Sequence, residues 1–365
     1  MTFPGLNDLL KAELSDEDVS TVSTAIIDQI GSTSFNRWYR AQEFASNIQN
    51  GQPYFNGPSP APNPNRHSPS QLLQCTRKIY YRQHNAPKET VDPSGIFWAG
   101  EHVETDLILP YFQAVADDDA YVQNSIWIDF TIQSQTGELR LKGETDPVFV
   151  DAEGIPILLT EIKTKDSIEH LDSPNDHHLA QAHAYMYGLT QKFDRLITDA
   201  LLVYVDRSTL DLKAFHTGFD DEFWNDVVLD WATTHTEYRV DNELPPADPE
   251  YGWECRFCSY RVRCGKGDTP HRDYGSSGLL PGYDQYPREN VTEYLEGNPN
   301  ESLTPSLAQR YPDLIERYGV TDWYCKKCES EVDWDDVDPG GNPLCPRCAN
   351  QDEISTLTVP TPDKL

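Results

Sequence analysis

Gly143-Glu-Thr-Asp146, followed after one short segment by Ile155-Pro-Ile-Leu-Leu-Thr-Glu-Ile-Lys-Thr-Lys165, is the stretch that decides the fold. Apolar and β-branched residues dominate it, and Asp151-Ala-Glu-Gly154 reads as the turn of a β-hairpin. Side chains along a strand alternate faces, so Leu159, Glu161 and Lys163 project from one side and Leu158 and Ile162 from the other. A carboxylate and an ammonium on an otherwise apolar strand are costly to bury unless they pair or hold a metal. Asp146 adds a second carboxylate one β segment earlier. Two converging carboxylates make a hard-oxygen site for Mg²⁺ or Mn²⁺, and a neighbouring lysine steadies a phosphate or a metal-bound hydroxide; phosphodiester hydrolysis needs these parts. Alone, Glu161-Ile-Lys163 reads first as a surface ion pair on an edge strand, so its setting carries the weight.

Upstream, a helix opening at Ser68-Pro69 carries Cys75, and a second over Phe97 to Phe112 carries His102 within Gly100-Glu-His102. Strands follow over Ser125–Thr131, Glu138–Lys142 and Pro147–Asp151. Downstream of the hairpin, Ser173-Pro174 opens a helix running to about Gly188, and Ala200–Val205 is an apolar, buried strand. His178, Gln181 and Tyr185 share one face of that helix, where Gln181 and Tyr185 can bond phosphates or orient Lys163, or simply be a half-buried polar face. His102 is the candidate third metal ligand, with Glu104, His177, His178 and His183 as alternates.

The eight cysteines fall into two sets. Cys255, Cys258 and Cys264 lie within ten residues, and Cys75 must cross the fold to join them. Four thiolates so arranged hold an iron–sulfur cluster or zinc, and one remote ligand with three compact ones suits the cluster better. Cys325-x-x-Cys328 and Cys345-Pro-Arg-Cys348 are two knuckles of a zinc ribbon, acting as a contact module or as the staple of a small tail.

With 29 Lys and Arg against 60 Asp and Glu, the formal charge is -31, yet the residues are 38% hydrophobic and 11% aromatic, enough for a core. The acidity is read as a salt-rich cytoplasm, where screening acts over about 3 Å at 1 M salt, and not as an aversion to nucleic acid. The start, Met1 to Asp18, lacks a signal pattern, and no apolar run approaches the roughly 20 residues of a membrane span. The expected location is cytoplasmic, without membrane contact. Against this background Arg77, Lys78, Lys142, Arg256, Arg261 and Arg263 stand out beside the cysteines and the hairpin, interleaved with Tyr80, Tyr81, Phe257 and Tyr260. They are the candidate DNA-binding groove, suited to single strands.

On these motifs, Gly100-Glu-His102, Gly143-Glu-Thr-Asp146, Glu161-Ile-Lys163, Gln181 to Tyr185 and the Cys75 set, the chain resembles the RecB-like PD-(D/E)XK nucleases with an iron–sulfur cluster, most closely the CRISPR-associated single-domain exonuclease branch. The resemblance implies an α/β, restriction-endonuclease-like core, a mixed central sheet flanked by helices. It implies metal-dependent exonucleolytic cleavage of single-stranded DNA in CRISPR spacer acquisition or in DNA repair and recombination, with a CRISPR integrase or a helicase as partner. By the same resemblance His102, Asp146 and Glu161 ligate Mg²⁺ or Mn²⁺, Lys163 is catalytic with Gln181 and Tyr185 in support, and Cys75, Cys255, Cys258 and Cys264 hold a four-iron, four-sulfur (4Fe–4S) cluster. Cys325, Cys328, Cys345 and Cys348 hold Zn²⁺. With the acidic composition, the setting is a haloarchaeon or a haloarchaeal virus.

The expected domains are a helical N-terminal extension and linker (1–67), the nuclease domain (68–266), an acidic Gly/Pro-rich linker (267–305) and the zinc-ribbon module (306–365). The extension, linker and ribbon depart from the family pattern and leave room for a viral or plasmid nuclease unrelated to CRISPR. A DNA-binding or assembly protein that kept the fold without hydrolysis is the other reading, which the intact Asp146, Glu161 and Lys163 oppose; a zinc-only transcription regulator is a third. The chain has no P-loop, so a duplex would need a separate motor.

Overall fold

In a computed structural model, Pro156–Lys165 is the middle strand of five. The structure describes residues 16–32, 35–49, 61–91, 93–116, 119–134, 137–267, 275–337 and 343–358. The chain divides into two units, Met1–Ser59 and Pro60–Leu365. In the first, the described residues form two helices, α1 (Asp16–Ser32) and α2 (Phe35–Gln49). Ile26, Ile27, Trp38 and Phe44 are exposed on them. The first part of the expected helical extension, residues 1–15, lies outside the described residues.

The second unit begins with β1 (Arg66–His67), a 3₁₀ turn at Pro69–Gln71 and α3 (Thr76–Gln83), for which Cys75 is the N-cap residue. A long helix follows in three parts: α4 (Ser94–His102), a π-helical stretch over Val103–Ile108, and α5 (Leu109–Val115). The strands are β2 (Tyr121–Gln123), β3 (Trp127–Ser134), β4 (Gly137–Glu144), β5 (Val148–Val150) and β6 (Pro156–Lys165). Then come α6 (Asp176–Phe193), β7 (Asp199–Asp206) and β8 (Leu212–Gly218), and a π-helical stretch Phe223–Leu229 that runs into α7 (Asp230–Val240).

The main sheet has the order β2-β5-β6-β7-β8, and β1-β4-β3 form a smaller one. β5 and β6 are the antiparallel hairpin read from the sequence, whereas β6 and β7 run parallel. A parallel pair needs a crossover, and α6 supplies it. The helix buries Ala182, Met186 and Leu189 against Leu159 and Leu202 on one face of the main sheet and against Ile128 of β3 in the smaller one. Ile108 and Phe112 cover Ile162, Val203 and Val205 on the other face of the main sheet. Both faces of β6 are therefore closed, which explains its continuous apolar run. Full burial of Leu159 is worth roughly 1.5–3 kcal/mol. α6 runs past Gly188 to Phe193 because that glycine is a packing position: a Cβ there would lie 2.8 Å from side-chain atoms of Ile128 and Phe130.

Residues 267–305 differ most from expectation. Among the described residues of this span, no linker is seen from 275 onward. Instead α8 (Arg288–Gly297), α9 (Pro305–Arg310) and α10 (Ile315–Tyr318) enclose a core of Leu280, Tyr286, Val291, Leu303 and Leu307. The Gly, Pro and Asp of the segment make its turns, and its tyrosines and leucines make a core of their own. The chain ends in a two-stranded hairpin, β9 (Trp323–Cys325) and β10 (Ser330–Val332), with a helical turn, α11 (Pro346–Ala349).

Candidate active site

Glu161 is fully buried at the centre of β6, and its Oε1 accepts a hydrogen bond from Lys163 Nζ two residues along the same face. Asp146, in the link between β4 and β5, reaches the same place: its Oδ2 accepts the Ile162 amide hydrogen at 2.7 Å. A third carboxylate comes from the π-helical stretch. Glu104 lies within electrostatic reach of Asp146, Lys163 and Glu144. Gly100, one turn earlier, faces β6, since a Cβ there would stand 3.7 Å from Thr164 Oγ1.

Three acids crowd one ammonium in a dry setting. Burial first, and then the Asp146 carboxylate, push Glu161 up to about 8. The same two causes push Glu104 up to about 7. Burial also raises Asp146, opposed by Lys163 and the Ile162 amide. Burial works against the Lys163 ammonium, but Glu161 and Asp146 outweigh it and hold it charged. Glu161 Oε2 is buried and has no hydrogen-bond partner. An orphaned carboxylate oxygen with two further acids in electrostatic reach, and a negative excess one lysine does not offset, offers the oxygen donors a hard divalent cation takes. The three acids stand further apart than the C-terminal cysteine quartet.

Gln181 and Tyr185 are buried on α6. Gln181 Nε2 donates to the Tyr185 hydroxyl at 3.5 Å, and that hydroxyl donates to the Glu144 carbonyl at 2.7 Å. The pair thus grips the backbone two residues before Asp146. Gly143 allows this packing: a Cβ there would sit 2.9 Å from Pro69 Cδ and 3.5 Å from the Tyr185 ring. His178 shares a 2.8 Å hydrogen bond with the Tyr204 hydroxyl and is kept neutral by burial first and by His177, Lys163 and Lys165 after it.

His102 is placed otherwise. Its Nδ1 lies 2.7 Å from Asp106 on the exposed side of the helix, and its ring leans at 50° against that of Trp98. Two residues of helix separate it from Glu104, close to half a turn, so the two side chains leave in opposite directions. The stretch Gly100-x-x-x-Glu104 holds the signal for Glu104: a glycine that lets the helix approach β6, and an acid one turn on.

The four remote cysteines come together. The Cys258 thiol feels Cys75 and Cys264, and Cys264 feels Cys75 and Cys255. Thr76 fastens the junction, its amide and hydroxyl donating to Asp248 at 2.8 and 2.6 Å. The C-terminal quartet is tighter. Its Sγ atoms all lie within 4.8 Å of one another, with Cys325 to Cys348 at 3.7 Å and Cys328 to Cys345 at 3.6 Å. Tetrahedral Zn²⁺ with bonds of about 2.3 Å sets thiolates about 3.8 Å apart, so this quartet fits zinc. Among the described residues it is the group that closes so far, and the Cys75 set is wider.

The basic residues differ in their settings. Arg263 is a correction: it is fully buried, with Nη1 donating to Gly275 and Ser277 carbonyls at 2.9 and 3.2 Å and Nη2 to the Gly278 carbonyl. It is a strut between the cysteine segment and the C-terminal core. Lys142 lies over the Trp127 ring, 3.9 Å from Asp129. Arg261 caps its own loop through the Lys266 carbonyl at 2.8 Å. Arg77 bonds the Pro245 carbonyl at 2.7 Å with a nitrogen 4.0 Å from Cys264 Sγ, Lys78 lies near Cys258, and Arg256 is exposed.

The paired carboxylates and lysine, set on a hairpin followed by a crossover helix and a parallel strand, define a restriction-endonuclease-like nuclease fold. The model of the PD-(D/E)XK nuclease superfamily matches residues 42–265, more than half of the chain, and the chain belongs to that superfamily of metal-dependent nucleases. Among solved structures, one titled "Crystal structure of SSO0001" aligns with a TM-score of 0.42 at 16% identity, over 64% of this chain and 98% of that one. Rai1 of Scheffersomyces stipitis aligns with a TM-score of 0.19 at 18% identity, over 33% of each chain. No curated protein matches the sequence. Among the described residues no helix is long and apolar enough to cross a membrane.

Proposed function

We propose that the chain is a metal-dependent exonuclease acting on single-stranded DNA in the cytoplasm of a salt-adapted host, in CRISPR spacer acquisition beside the integrase, or in repair beside a helicase. The observation that carries the catalytic part is the unpartnered Glu161 Oε2 beside Asp146, Glu104 and Lys163. Asp146, Glu161 and Glu104 would hold Mg²⁺ or Mn²⁺, with Glu104 in place of His102. When bound, the ion supplies Lewis-acid polarisation of the phosphate and an activated water.

The chain's own residues do the rest. Lys163, anchored by Glu161, presents an ammonium to a non-bridging phosphate oxygen and offsets the charge that develops there. Gln181 and Tyr185 are positioning residues, fixing the strand end that carries Asp146 through the Glu144 carbonyl. Cys75, Cys255, Cys258 and Cys264 hold the 4Fe–4S cluster, a reading supported by their convergence at a spacing wider than the zinc-like quartet. Cys325, Cys328, Cys345 and Cys348 hold zinc.

The test is cleavage of 5′- and 3′-labelled single strands with Mn²⁺ by the intact and the Lys163→Ala proteins. Stepwise shortening from one end, lost in the variant, is expected; equal cleavage by both would overturn the site. Iron, sulfide and zinc analysis of anaerobically purified protein decides the two thiolate sets.

A further inference from the structure

Beside the acidic face, a cavity of about 230 Å³ opens between the start of α6 and the cysteine-bearing turn Gly252–Phe257. One wall is aromatic. The Tyr251 and Trp253 rings stack with centroids 5.9 Å apart, and Phe257 meets Trp253 edge-on at 6.3 Å. Trp253 is 54% exposed and Phe257 79%, unusual for large rings whose task is packing alone. Apart from Leu73 the remaining lining is polar: Lys78 Nζ donates to Gln74 Oε1 at 3.0 Å, Glu250 lies 2.8 Å from His177, and Asn175 and Glu254 complete it.

The cavity adjoins the acidic site. Lys165 follows Lys163 on the same face of β6, about 7 Å further along the strand. Its Nζ lies 3.4 Å from Asn175 Oδ1, on the cavity's lining. The Tyr204 hydroxyl stands between the two places, within electrostatic reach of Glu161 on one side and of Glu250 and Tyr251 on the other.

We propose that this cavity is a base-stacking subsite that holds one unpaired base of a DNA strand against Trp253, with Lys78 and Lys165 toward the flanking phosphates. The proposal rests on the nuclease reading above and specifies how its substrate is held. A base suits the cavity better than a phosphate, because Glu250 and Glu254 repel an anion yet accept hydrogen bonds from exocyclic amino groups. The volume lies below the roughly 300–1,000 Å³ of pockets for larger ligands, in keeping with a single ring system. Every base has a face to stack, so the subsite tolerates sequence but requires a base already out of the duplex.

The experiment uses the full chain and a set of ten-nucleotide single strands, each carrying 2-aminopurine at a different position, in Ca²⁺ to prevent turnover, each with an otherwise identical strand abasic at that position. Intact protein is expected to quench the 2-aminopurine and to prefer the base-bearing strand. Trp253→Ala should abolish the quenching and weaken binding of that strand by about tenfold, with little effect on the abasic one, while Trp253→Phe retains most of both. If Trp253→Ala weakens both strands equally, or leaves quenching intact at every labelled position, the subsite is overturned. A protein that shows the Trp253-dependent quenching but cleaves nothing in Mn²⁺ would remove the nuclease reading and leave the stacking site standing. Trp253 is exposed, and thermal melting of each variant checks that its fold is intact.

Discussion

Asp146 accepts the amide hydrogen of Ile162, the residue between Glu161 and Lys163, at 2.7 Å. One side chain thereby fixes the height at which two strands present their charged groups. Asp146→Asn keeps an oxygen for that amide and removes the charge. It should lower Mn²⁺-dependent cleavage by about 10²-fold or more while the thermal midpoint stays level or rises, since a buried carboxylate is relieved. Asp146→Ala should in addition cost about 1–3 kcal/mol of stability for the orphaned amide. Cleavage rates and denaturant melts of both variants check this.

Glu104 and His102 leave the same helix on opposite sides, and their substitutions should separate cleanly. Glu104→Gln should reduce cleavage by about 10²-fold and raise the Mn²⁺ concentration needed for half-maximal rate. His102→Ala should stay within about twofold of the intact protein, its exposed bond to Asp106 contributing little. Metal titrations of the two variants decide which residue belongs to the site.

The hairpin, the crossover helix and the place of Glu161 and Lys163 were legible because strand alternation needs few residues to declare itself. Glu104 was read only as an alternate to the more familiar ligand type two positions before it. The signal was the helix face shared with Gly100, which a reading by residue type overlooks. Arg263 was misread for a related reason: a cation in an acidic chain suggests a surface, and the carbonyls of Gly275, Ser277 and Gly278 that surround it come from turns with no pattern of their own. In the span taken for a linker, Gly and Pro were counted while Leu280, Tyr286 and Val291, which form the core, were passed over.

Arg263→Ala should destabilise the protein by about 3 kcal/mol or more, because it empties the site of a fully buried side chain and frees three partly buried carbonyls at once. Limited proteolysis should then cut near residues 275–278 first. Arg261→Ala, on the partly exposed neighbour, should cost less than about 1 kcal/mol.

His67 and His235 meet edge to face in the interior, their ring centroids 5.7 Å apart, and burial, the largest cause in both, holds each neutral down to about 3. An unfolded histidine titrates near 6.5, so below that pH the unfolded chain takes up protons the native one refuses. The stability they contribute is complete above about 6.5 and falls as pH drops toward 3, with a slope of up to about 2.7 kcal/mol per pH unit for the pair. Replacing His235 with Phe should roughly halve that slope, read from urea midpoints across the range.

The clasp of Cys75 and Thr76 with residues 248–264 also orders events in time. Glu104, Asp146, Glu161 and Lys163 all leave the ribosome before Asp248 and the three later cysteines that complete the clasp. That clasp ties together positions 172 residues apart in the chain, so the sheet that carries Asp146, Glu161 and Lys163 is bracketed by a contact that closes only after the whole intervening stretch has been made.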